Sequence, residues 1–269
     1  MFTSSFKKSS FSTAALTLYL GLSLTASATT VEFVISQGTT QGTIEVNLFD
    51  QTTPKTVTNF LNYLNEGYYN NSVFHRVVPN FIIQGGGFDF SGALPLTRKT
   101  PNTAVTNEPI YSNVKGTIAM AKLSNSPNSA TDQWFFNLAD NSNNLDVQNG
   151  GFTVFGQVIK GMDIIEKIAQ LPLCNAGSLE GIPVVIGAGQ QCGDLIAPEP
   201  ANFVVLEQIV ILDSSEVTDA GLNPVKNTLM TSPVTPTSSS SNDSGGGSFT
   251  WLSLTALLLL TLAKKLLKR

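Results

Sequence analysis

Histidine and cysteine are scarce in this sequence. Its 269 residues include one histidine, His75, and two cysteines, Cys174 and Cys192. So few ligands give no spacing typical of a zinc site, and we expect no metal. In an exported chain a lone pair of cysteines is more often bridged than free, and a bridge would stabilise the fold by roughly 3 kcal/mol on the chain-entropy model. The alternative is two buried thiols.

Basic residues are also scarce outside the two ends of the chain. There are 15 Lys and Arg against 19 Asp and Glu, and six of the basic residues lie in terminal segments that hold no acidic residue. The region between is left with nine basic and 19 acidic residues, a balance of -10. Such a domain is a poor partner for nucleic acid, because phosphate binding needs clustered Lys and Arg. The six terminal residues are Lys7, Lys8, Lys264, Lys265, Lys268 and Arg269.

Residues 1–28 have the pattern of a secretory signal peptide. Two lysines precede the short apolar run Phe11–Leu24, and Ala26-Ser27-Ala28 fits the small-x-small rule for cleavage. We expect cleavage after Ala28 and a folded domain over residues 29–215. The alternative is that this segment forms a helix in the core of the fold.

The C-terminal part of the chain changes composition twice. Residues 216–248 are rich in Ser, Thr, Pro and Gly, which predicts a linker. Residues 249–269 begin with the apolar run Phe249–Ala263, which is short for a span of about 20 residues. With snorkelling lysines the tail can just cross a membrane, leaving its basic end in the cytoplasm and the domain outside. The alternative is an amphipathic helix on the membrane surface.

The hydrophobic pattern predicts a mainly β domain. Apolar and polar residues alternate in Gly42–Phe49, as in a half-buried strand. Only two helices are expected: one starts at Pro54, with Thr53 as N-cap and Gly67 beyond its end, and one covers Met162–Ala169. Eight strands with so few helices favour a closed antiparallel barrel capped by two helices. The predicted strands are Val31–Ser36, Gly42–Phe49, Val73–Val78, Phe81–Gln84, Gly116–Ala121, Gln133–Leu138, Thr153–Val158 and Phe203–Leu212.

Residues 171–200 form an insertion between the second helix and the last strand. The segment is rich in Gly and Pro and holds both Cys174 and Cys192. A loop of this length is unusual inside a compact domain, and a disulfide would restrain it.

Four motifs in a fixed order point to a family. They read FHRVVPNFIIQGG from Phe74, GTIAMA from Gly116, SATDQWFFN from Ser129 and VFGQV from Val154. Together they resemble the signature of cyclophilin-type peptidyl-prolyl cis/trans isomerases, in particular the bacterial exported branch, over roughly Val31–Leu212. The resemblance implies an eight-stranded barrel with two capping helices, isomerase activity on proline-containing polypeptides, and no cofactor.

Arg76 matches the catalytic arginine of that family. An arginine among apolar strand neighbours must find acceptors or face a groove, because unpaired burial is costly; a salt bridge at a strand edge is the alternative. Rotation about an X–Pro bond meets a barrier of about 18–20 kcal/mol. Twisting frees a lone pair on the proline nitrogen, so a hydrogen bond from Arg76 would stabilise the transition state selectively, without a nucleophile, acid or base.

The resemblance also implies substrate-binding positions. Gln84 matches the residue that orients Arg76 and bonds the peptide backbone, or it is an ordinary sheet side chain. Ala121, Lys122 and Gln133 match contacts to an extended peptide, although Lys122 replaces a smaller polar residue and is alternatively a rim charge. A proline ring needs a pocket with apolar walls. The matching positions, each alternatively a plain core residue, are Phe81, Ile82, Phe135 and Leu145.

Three further positions concern the rim of this pocket. His75, beside Arg76, is either a neutral structural residue that belongs to the binding region or a general base. Phe152 stands where many eukaryotic relatives carry His, and it keeps the pocket wall apolar. Asn144 stands where those relatives carry a Trp associated with cyclosporin binding, so we expect weak inhibition by cyclosporin.

The tail carries a second resemblance. Residues 244–248, before the apolar run, are similar to Gly-Gly C-terminal sorting signals that a rhomboid-like intramembrane protease processes. With processing, the enzyme ends on the cell surface or outside; without it, the tail holds the enzyme in the inner membrane, facing the periplasm. The leading hypothesis is an exported foldase. The alternatives are a non-catalytic module that binds proline peptides and a cell-envelope adaptor whose partner docks on residues 171–200.

Overall fold

The computed structural model describes residues 29–36, 41–214 and 222–230. The fold is mainly β, as predicted. Its helices are α1 (Pro54–Asn65), α2 (Ser142–Leu145) and α3 (Met162–Ala169). Its strands are β1 (Thr30–Ile35), β2 (Gly42–Leu48), β3 (Ser72–Val73), β4 (Arg76–Val78), β5 (Ile82–Gly85), β6 (Phe88–Asp89), β7 (Thr97–Arg98), β8 (Thr117–Met120), β9 (Trp134–Asn137), β10 (Val154–Lys160), β11 (Leu173–Ala176), β12 (Leu179–Pro183) and β13 (Val205–Asp213).

Eleven of these strands form one curled sheet, in the order β4-β5-β9-β8-β10-β2-β1-β13-β3-β6-β7. Only Phe74 and His75 separate β3 from β4, yet β3 pairs with β13 and β4 with β5. The Phe74 amide donates to the Val204 carbonyl, and the His75 amide donates to the Gln84 carbonyl, each over 3.1 Å. The chain therefore passes here from one side of the curl to the other.

The sheet is open, and the expected closed barrel of eight strands is wrong in closure and in strand number. The predicted strand Val73–Val78 is in fact two short strands, and β4 forms an edge of the sheet instead of continuing β3. Two further strands, β6 and β7, extend the other edge with two residues each.

The two expected helices are present, and α2 is a third. Helix α1 begins at Pro54, and Gly67 lies beyond its end with a left-handed φ of 66°. Thr53 occupies the N-cap position, but its hydroxyl donates to the Phe49 carbonyl instead of capping the helix. The short helix α2 brings Leu145 into a buried position.

Aromatic rings fill the inside of the curl. Phe33 contacts Trp134 and Phe136 edge to face, with ring centroids 5.1 and 5.5 Å apart. Phe60 from α1 packs against Phe33 from outside the sheet plane, at 6.1 Å. The helix thereby closes the apolar interior that the open sheet leaves at one side.

The insertion 171–200 contains a hairpin and a disulfide. Strands β11 and β12 form their own two-stranded sheet. Cys174 and Cys192 are joined, with Cα atoms 5.5 Å apart, as predicted. The hairpin lies against β4, because Gly181 approaches so closely that a Cβ atom there would be 2.6 Å from the Val77 carbonyl oxygen. The left-handed φ of 74° at Gly181 also favours glycine.

Residues 222–230, here called the strap, lie against the domain although they fall in the predicted linker. Tyr111 and Lys226 form an isolated antiparallel bridge, and the Ser112 amide donates to the Val225 carbonyl over 2.8 Å. Asn227 is buried and donates from Nδ2 to the Asp146 carbonyl over 2.9 Å. The strap thus reaches the end of helix α2.

The predicted signal segment 1–28 and tail 249–269 lie outside the described residues. In the part of the chain that the structure does describe, every helix is too short or too polar to span a membrane.

Candidate active site

Arg76 lies in a row of side chains that crosses neighbouring strands. It pairs with Gln84 across β4 and β5, and Gln84 pairs with Phe135 across β5 and β9. Ala119 on β8 continues the row beyond Phe135. Directly opposed residues of antiparallel strands project to the same face of the sheet. The register therefore brings the predicted catalytic residue, its predicted partner and a predicted pocket residue side by side.

The same region carries an apolar cluster that is separate from the main core. Ile82, Phe135 and Leu145 are buried in it, and the half-buried Phe81 and Phe152 pack against it. The rings of Phe135 and Phe152 meet edge to face, with centroids 5.8 Å apart. All the predicted pocket residues are therefore brought together. The buried members of this pocket cluster are Phe49, Ile82, Tyr111, Ala119, Phe135, Leu145 and Val154.

Arg76 is half-buried at the edge of the sheet. Burial lowers the pKa of its guanidinium, and the negative charge of Glu180 acts in the opposite direction. An arginine keeps its charge at neutral pH despite such shifts. Glu180 lies in β12 of the insertion, outside the four motifs, and its charge contributes to the electrostatic field around Arg76.

Gln84 and His75 share one hydrogen-bond acceptor, Gln133 Oε1, and these three side chains are here called the relay. Gln84 Nε2 donates to Gln133 Oε1 over 2.7 Å, and His75 Nε2 lies 3.0 Å from the same oxygen. Both bonds form when the proton of the neutral imidazole is on Nε2. Burial lowers the pKa of His75 to about 4, against the opposing effect of the bond to Gln133. A ring with so low a pKa is a weak base, and its Nε2 is occupied by Gln133, so both observations favour the structural interpretation of His75 over the general base.

A model of the family described as cyclophilin type peptidyl-prolyl cis-trans isomerase/CLD matches residues 31–186, more than half of the chain. The chain belongs to the cyclophilin family. Members bind proline-containing peptides, and this cyclophilin is accordingly an enzyme, a peptidyl-prolyl cis/trans isomerase. The match ends within the insertion, so β13 and the strap lie beyond it.

Bacterial relatives agree with this assignment. The cyclophilin is 40% identical to a peptidyl-prolyl cis-trans isomerase of Acinetobacter baylyi over 153 residues, which is 56% of this chain and 79% of the relative. It is 43% identical to peptidyl-prolyl cis-trans isomerase A of Dickeya dadantii over 171 residues, 60% of this chain and 86% of the relative.

A solved cyclophilin type isomerase of Cryptosporidium parvum is 23% identical, with a TM-score of 0.49, over 69% of this chain and 99% of that one.

An ion pair between the exposed Arg98 and the buried Asp132 supports the segment before β9 that presents Gln133 in this cyclophilin. Arg98 holds the fully buried Asp132 with two bonds of 2.6 and 2.9 Å, and the Tyr68 hydroxyl donates to the same carboxylate over 2.7 Å. Burial alone would raise the pKa of Asp132, but these bonds hold it below its usual value. Because Asp132 precedes Gln133, the ion pair fixes the backbone on which the relay depends. Sequence reasoning missed this cluster, since its members lie far apart in the chain.

Lys122 is turned inward and is not a solvated rim charge. Its Nζ donates to the carbonyls of Asn149 and Gly151 over 2.9 and 2.6 Å, and it lies 4.7 Å from the centre of the Phe152 ring. Burial lowers the pKa of Lys122 to about 8. Ala121, just before it, donates its amide to the Gln133 carbonyl over 2.9 Å, which ties the end of β8 to the start of β9.

Proposed function

We propose that this cyclophilin isomerises X–Pro bonds through Arg76, which stabilises the twisted amide without covalent or acid–base chemistry. The observation that carries the proposal is the row of Arg76, Gln84 and Phe135 beside an apolar cluster that is distinct from the core. A charged donor and an apolar wall on one face suit a substrate that combines a polar amide with a proline ring.

The proposed reaction needs binding, orientation and one hydrogen bond. The proline ring enters the pocket cluster, against Phe135, while the extended backbone on either side is held near Ala121 and Gln133. The guanidinium of Arg76 then donates to the proline nitrogen as the amide leaves planarity. This bond is absent from the planar ground state, so it lowers the barrier instead of only tightening binding. Each ~1.4 kcal/mol of such stabilisation accelerates rotation about tenfold.

Proton transfer has no part in this mechanism. His75 is the one histidine of the chain, and its low pKa together with the bond to Gln133 leaves it neutral and occupied at neutral pH. Arg76 does not titrate in that range. We therefore expect a rate that is independent of pH between about 6 and 7.5, where neither group changes its charge.

The decisive experiment compares the full chain with Arg76→Ala. Cis-to-trans conversion of a short Ala-Pro peptide is followed, with Lys115→Ala as control because Lys115 is an exposed residue paired with Glu166. We expect Arg76→Ala to lower kcat/KM by about 10²-fold or more, as for removal of an oxyanion donor, and the control to stay near wild type.

The binding-module alternative is an outcome of the same experiment. A folded wild-type chain that binds the peptide without accelerating its isomerisation would overturn the catalytic proposal and favour a non-catalytic module. Equal rates for wild type and Arg76→Ala would leave the enzyme but remove Arg76 as its catalytic residue.

We further propose that the enzyme assists the folding of exported proteins and acts in the periplasm or at the cell surface. The disulfide between Cys174 and Cys192 supports this, because such bonds persist in oxidising compartments. Intact mass and N-terminal sequencing of the protein recovered from cells test the proposal. We expect a mature chain starting at Thr29. Loss of everything after about Gly247 would indicate rhomboid-like processing, a retained tail would indicate a membrane anchor, and an uncleaved N-terminus would contradict export.

A further inference from the structure

Lys122 adds a side-chain contact just beyond the end of the ladder in which β8 pairs with β10 through Ala119 and Val154. It follows Ala121 at the end of the groove-forming segment, and it reaches across to residues 149–152, here called the wall loop. The two carbonyls that it contacts belong to Asn149 and Gly151, on either side of the loop's turn. The contact therefore spans from the segment predicted to bind the peptide backbone to the wall of the proline pocket.

The wall loop has a backbone that needs external donors. Asn149, Gly150 and Gly151 have successive φ values of 53°, 76° and 73°, all left-handed. A Cβ atom at Gly151 would lie 2.7 Å from the Asp146 carbonyl oxygen, so only glycine fits there. The carbonyl groups of these three residues accept hydrogen bonds from side chains outside the loop. Asn107 Nδ2 bonds the Gly150 and Gly151 carbonyls over 2.7 and 2.8 Å, and Lys122 completes the set.

The loop sets the position of Phe152. The Phe152 amide donates to the Leu145 carbonyl over 2.8 Å, and its ring packs on Phe135 with centroids 5.8 Å apart. The ammonium of Lys122 lies 4.7 Å from the centre of the same ring, within the range of a cation–π contact. One side chain thus holds the loop backbone and the aromatic wall together.

Backbone carbonyls and the ring supply the partners of this charge. The nearby acidic residues Asp146 and Glu108 bond to other groups. Asp146 Oδ1 accepts from the amide and side chain of Asn113, and the Glu108 carboxylate accepts from the Thr56 amide and hydroxyl. The contacts that hold Lys122 are therefore the two loop carbonyls and the Phe152 ring.

We propose that Lys122 is a positioning residue of this isomerase: its side chain holds the wall loop against the groove through hydrogen bonds to two loop carbonyls and through contact with the Phe152 ring. The inference rests on the isomerase mechanism proposed above, because it assigns Phe152 to the substrate pocket. Lys122 acts through Phe152 and the loop backbone, without contact to the reacting amide. Burial lowers the pKa of Lys122 to about 8 in this position, so by linkage the loss of its proton does not favour release of the side chain to water.

The test compares the full chain with Lys122→Met, Lys122→Arg and the control Lys115→Met. Met has a similar length without charge, whereas Arg keeps its charge. Exchange NMR on an acetylated and amidated Ala-Pro peptide gives kcat/KM at pH 7, and titration of the same peptide gives Kd.

We expect Lys122→Met to lower kcat/KM about tenfold or more at pH 7, chiefly through weaker peptide binding, because a misplacement of ~1 Å in a site can cost up to ~10²-fold. Lys122→Arg keeps charged donors and should retain most of the wild-type kcat/KM and Kd, as should the control. A Lys122→Met protein with wild-type kcat/KM and Kd, or a Lys122→Arg protein that loses as much as Lys122→Met, would overturn the proposal.

Two further comparisons keep the test decisive if a variant does not fold or if wild type is inactive. If Lys122→Met does not fold, Lys122→Gln takes its place in the same comparison of kcat/KM and Kd. If wild type shows no isomerisation at all, the proposed mechanism fails, but the peptide Kd of the four proteins still shows whether Lys122 positions the pocket wall.

Discussion

Burial determines the charge of His75. The ring is almost fully buried beside Gln133, and its pKa falls to about 4 from an ordinary value of 6.5. The folded chain therefore excludes a proton that the unfolded chain binds between these two values. Above pH 6.5 the ring is neutral in both states, and the full stability is present. As the pH falls from 6.5 towards 4, the unfolded state gains protons and the free energy of unfolding drops.

Replacement of His75 by Gln should remove this acid-sensitive part of the stability. Gln stays neutral and can still donate to Gln133, while all carboxylates titrate alike in both proteins. We expect wild type to lose up to about 3 kcal/mol more than His75→Gln between pH 7 and 4, since each pKa unit is worth ~1.4 kcal/mol. Urea unfolding at several pH values measures the difference. Parallel curves for the two proteins would show that His75 is not the source.

Single residues were predictable where a motif carried them. Arg76, Gln84 and Phe135 are 8 and 51 residues apart along the chain, and strand register alone places them in one row. The inward contacts of Lys122 and the approach of Glu180 to the site were not predictable in the same way. Lys122 turns inward because the wall loop exposes carbonyls, and Glu180 reaches the site because its hairpin packs on β4; neither cause leaves a local pattern.

Among the elements, segments whose apolar residues repeat at helix or strand spacing were predictable from the sequence. Segments that are held in place by contacts of backbone groups were not. Helix α3 covers Met162–Ala169 as expected, because its apolar residues repeat at helical spacing. The hairpin β11–β12 and the strap have no such period. Their places depend on a close approach of Gly181 and on hydrogen bonds of main-chain groups and Asn227.

The strap should therefore contribute to stability through Asn227. Its side chain bonds the Asp146 carbonyl and its amide bonds the Ile110 carbonyl, each over 2.9 Å. Asn227→Ala leaves the first of these carbonyls without its partner in a buried site, and we expect a loss of about 1–3 kcal/mol in the free energy of unfolding. The exposed neighbour Lys226 offers a matched control as Lys226→Ala. Equal stability of the two variants in urea unfolding would mean that the strap is not part of the folded unit.

At the scale of the whole molecule, the curl of the sheet positions the site. The chain crosses from β3 to β4 through Phe74 and His75. Arg76 therefore begins an edge strand directly after His75, whose ring is kept neutral by burial and is bonded to Gln133. The stretch from Val73 to Val78 reads as one strand in the sequence, and only the pairing of β3 with β13 and β4 with β5 reveals the crossing. Strand number and closure were unpredictable for this reason, whereas the mainly β class follows from alternation alone.

The charge of the whole domain should show in its choice of peptides. Between the terminal segments the chain carries a balance of -10, and Glu180 adds a negative charge beside Arg76 at the site itself. A field of one sign raises the local concentration of oppositely charged substrates. We expect kcat/KM to be several-fold (about 3–10) higher for a peptide with Lys next to Ala-Pro than for one with Glu there, and intermediate for a neutral peptide.

Salt separates this effect from contacts within the pocket. Long-range attraction is screened over about 10 Å at 0.1 M ionic strength and about 3 Å at 1 M, while hydrogen bonds and apolar contacts persist. The ratio between the Lys and Glu peptides should therefore approach one at high salt, with little change for the neutral peptide. Glu180→Gln should remove the part of the ratio that arises beside Arg76 and leave the part that arises from the rest of the domain. A ratio that is unchanged between low and high salt would assign the preference to a specific contact and would contradict an effect of net charge.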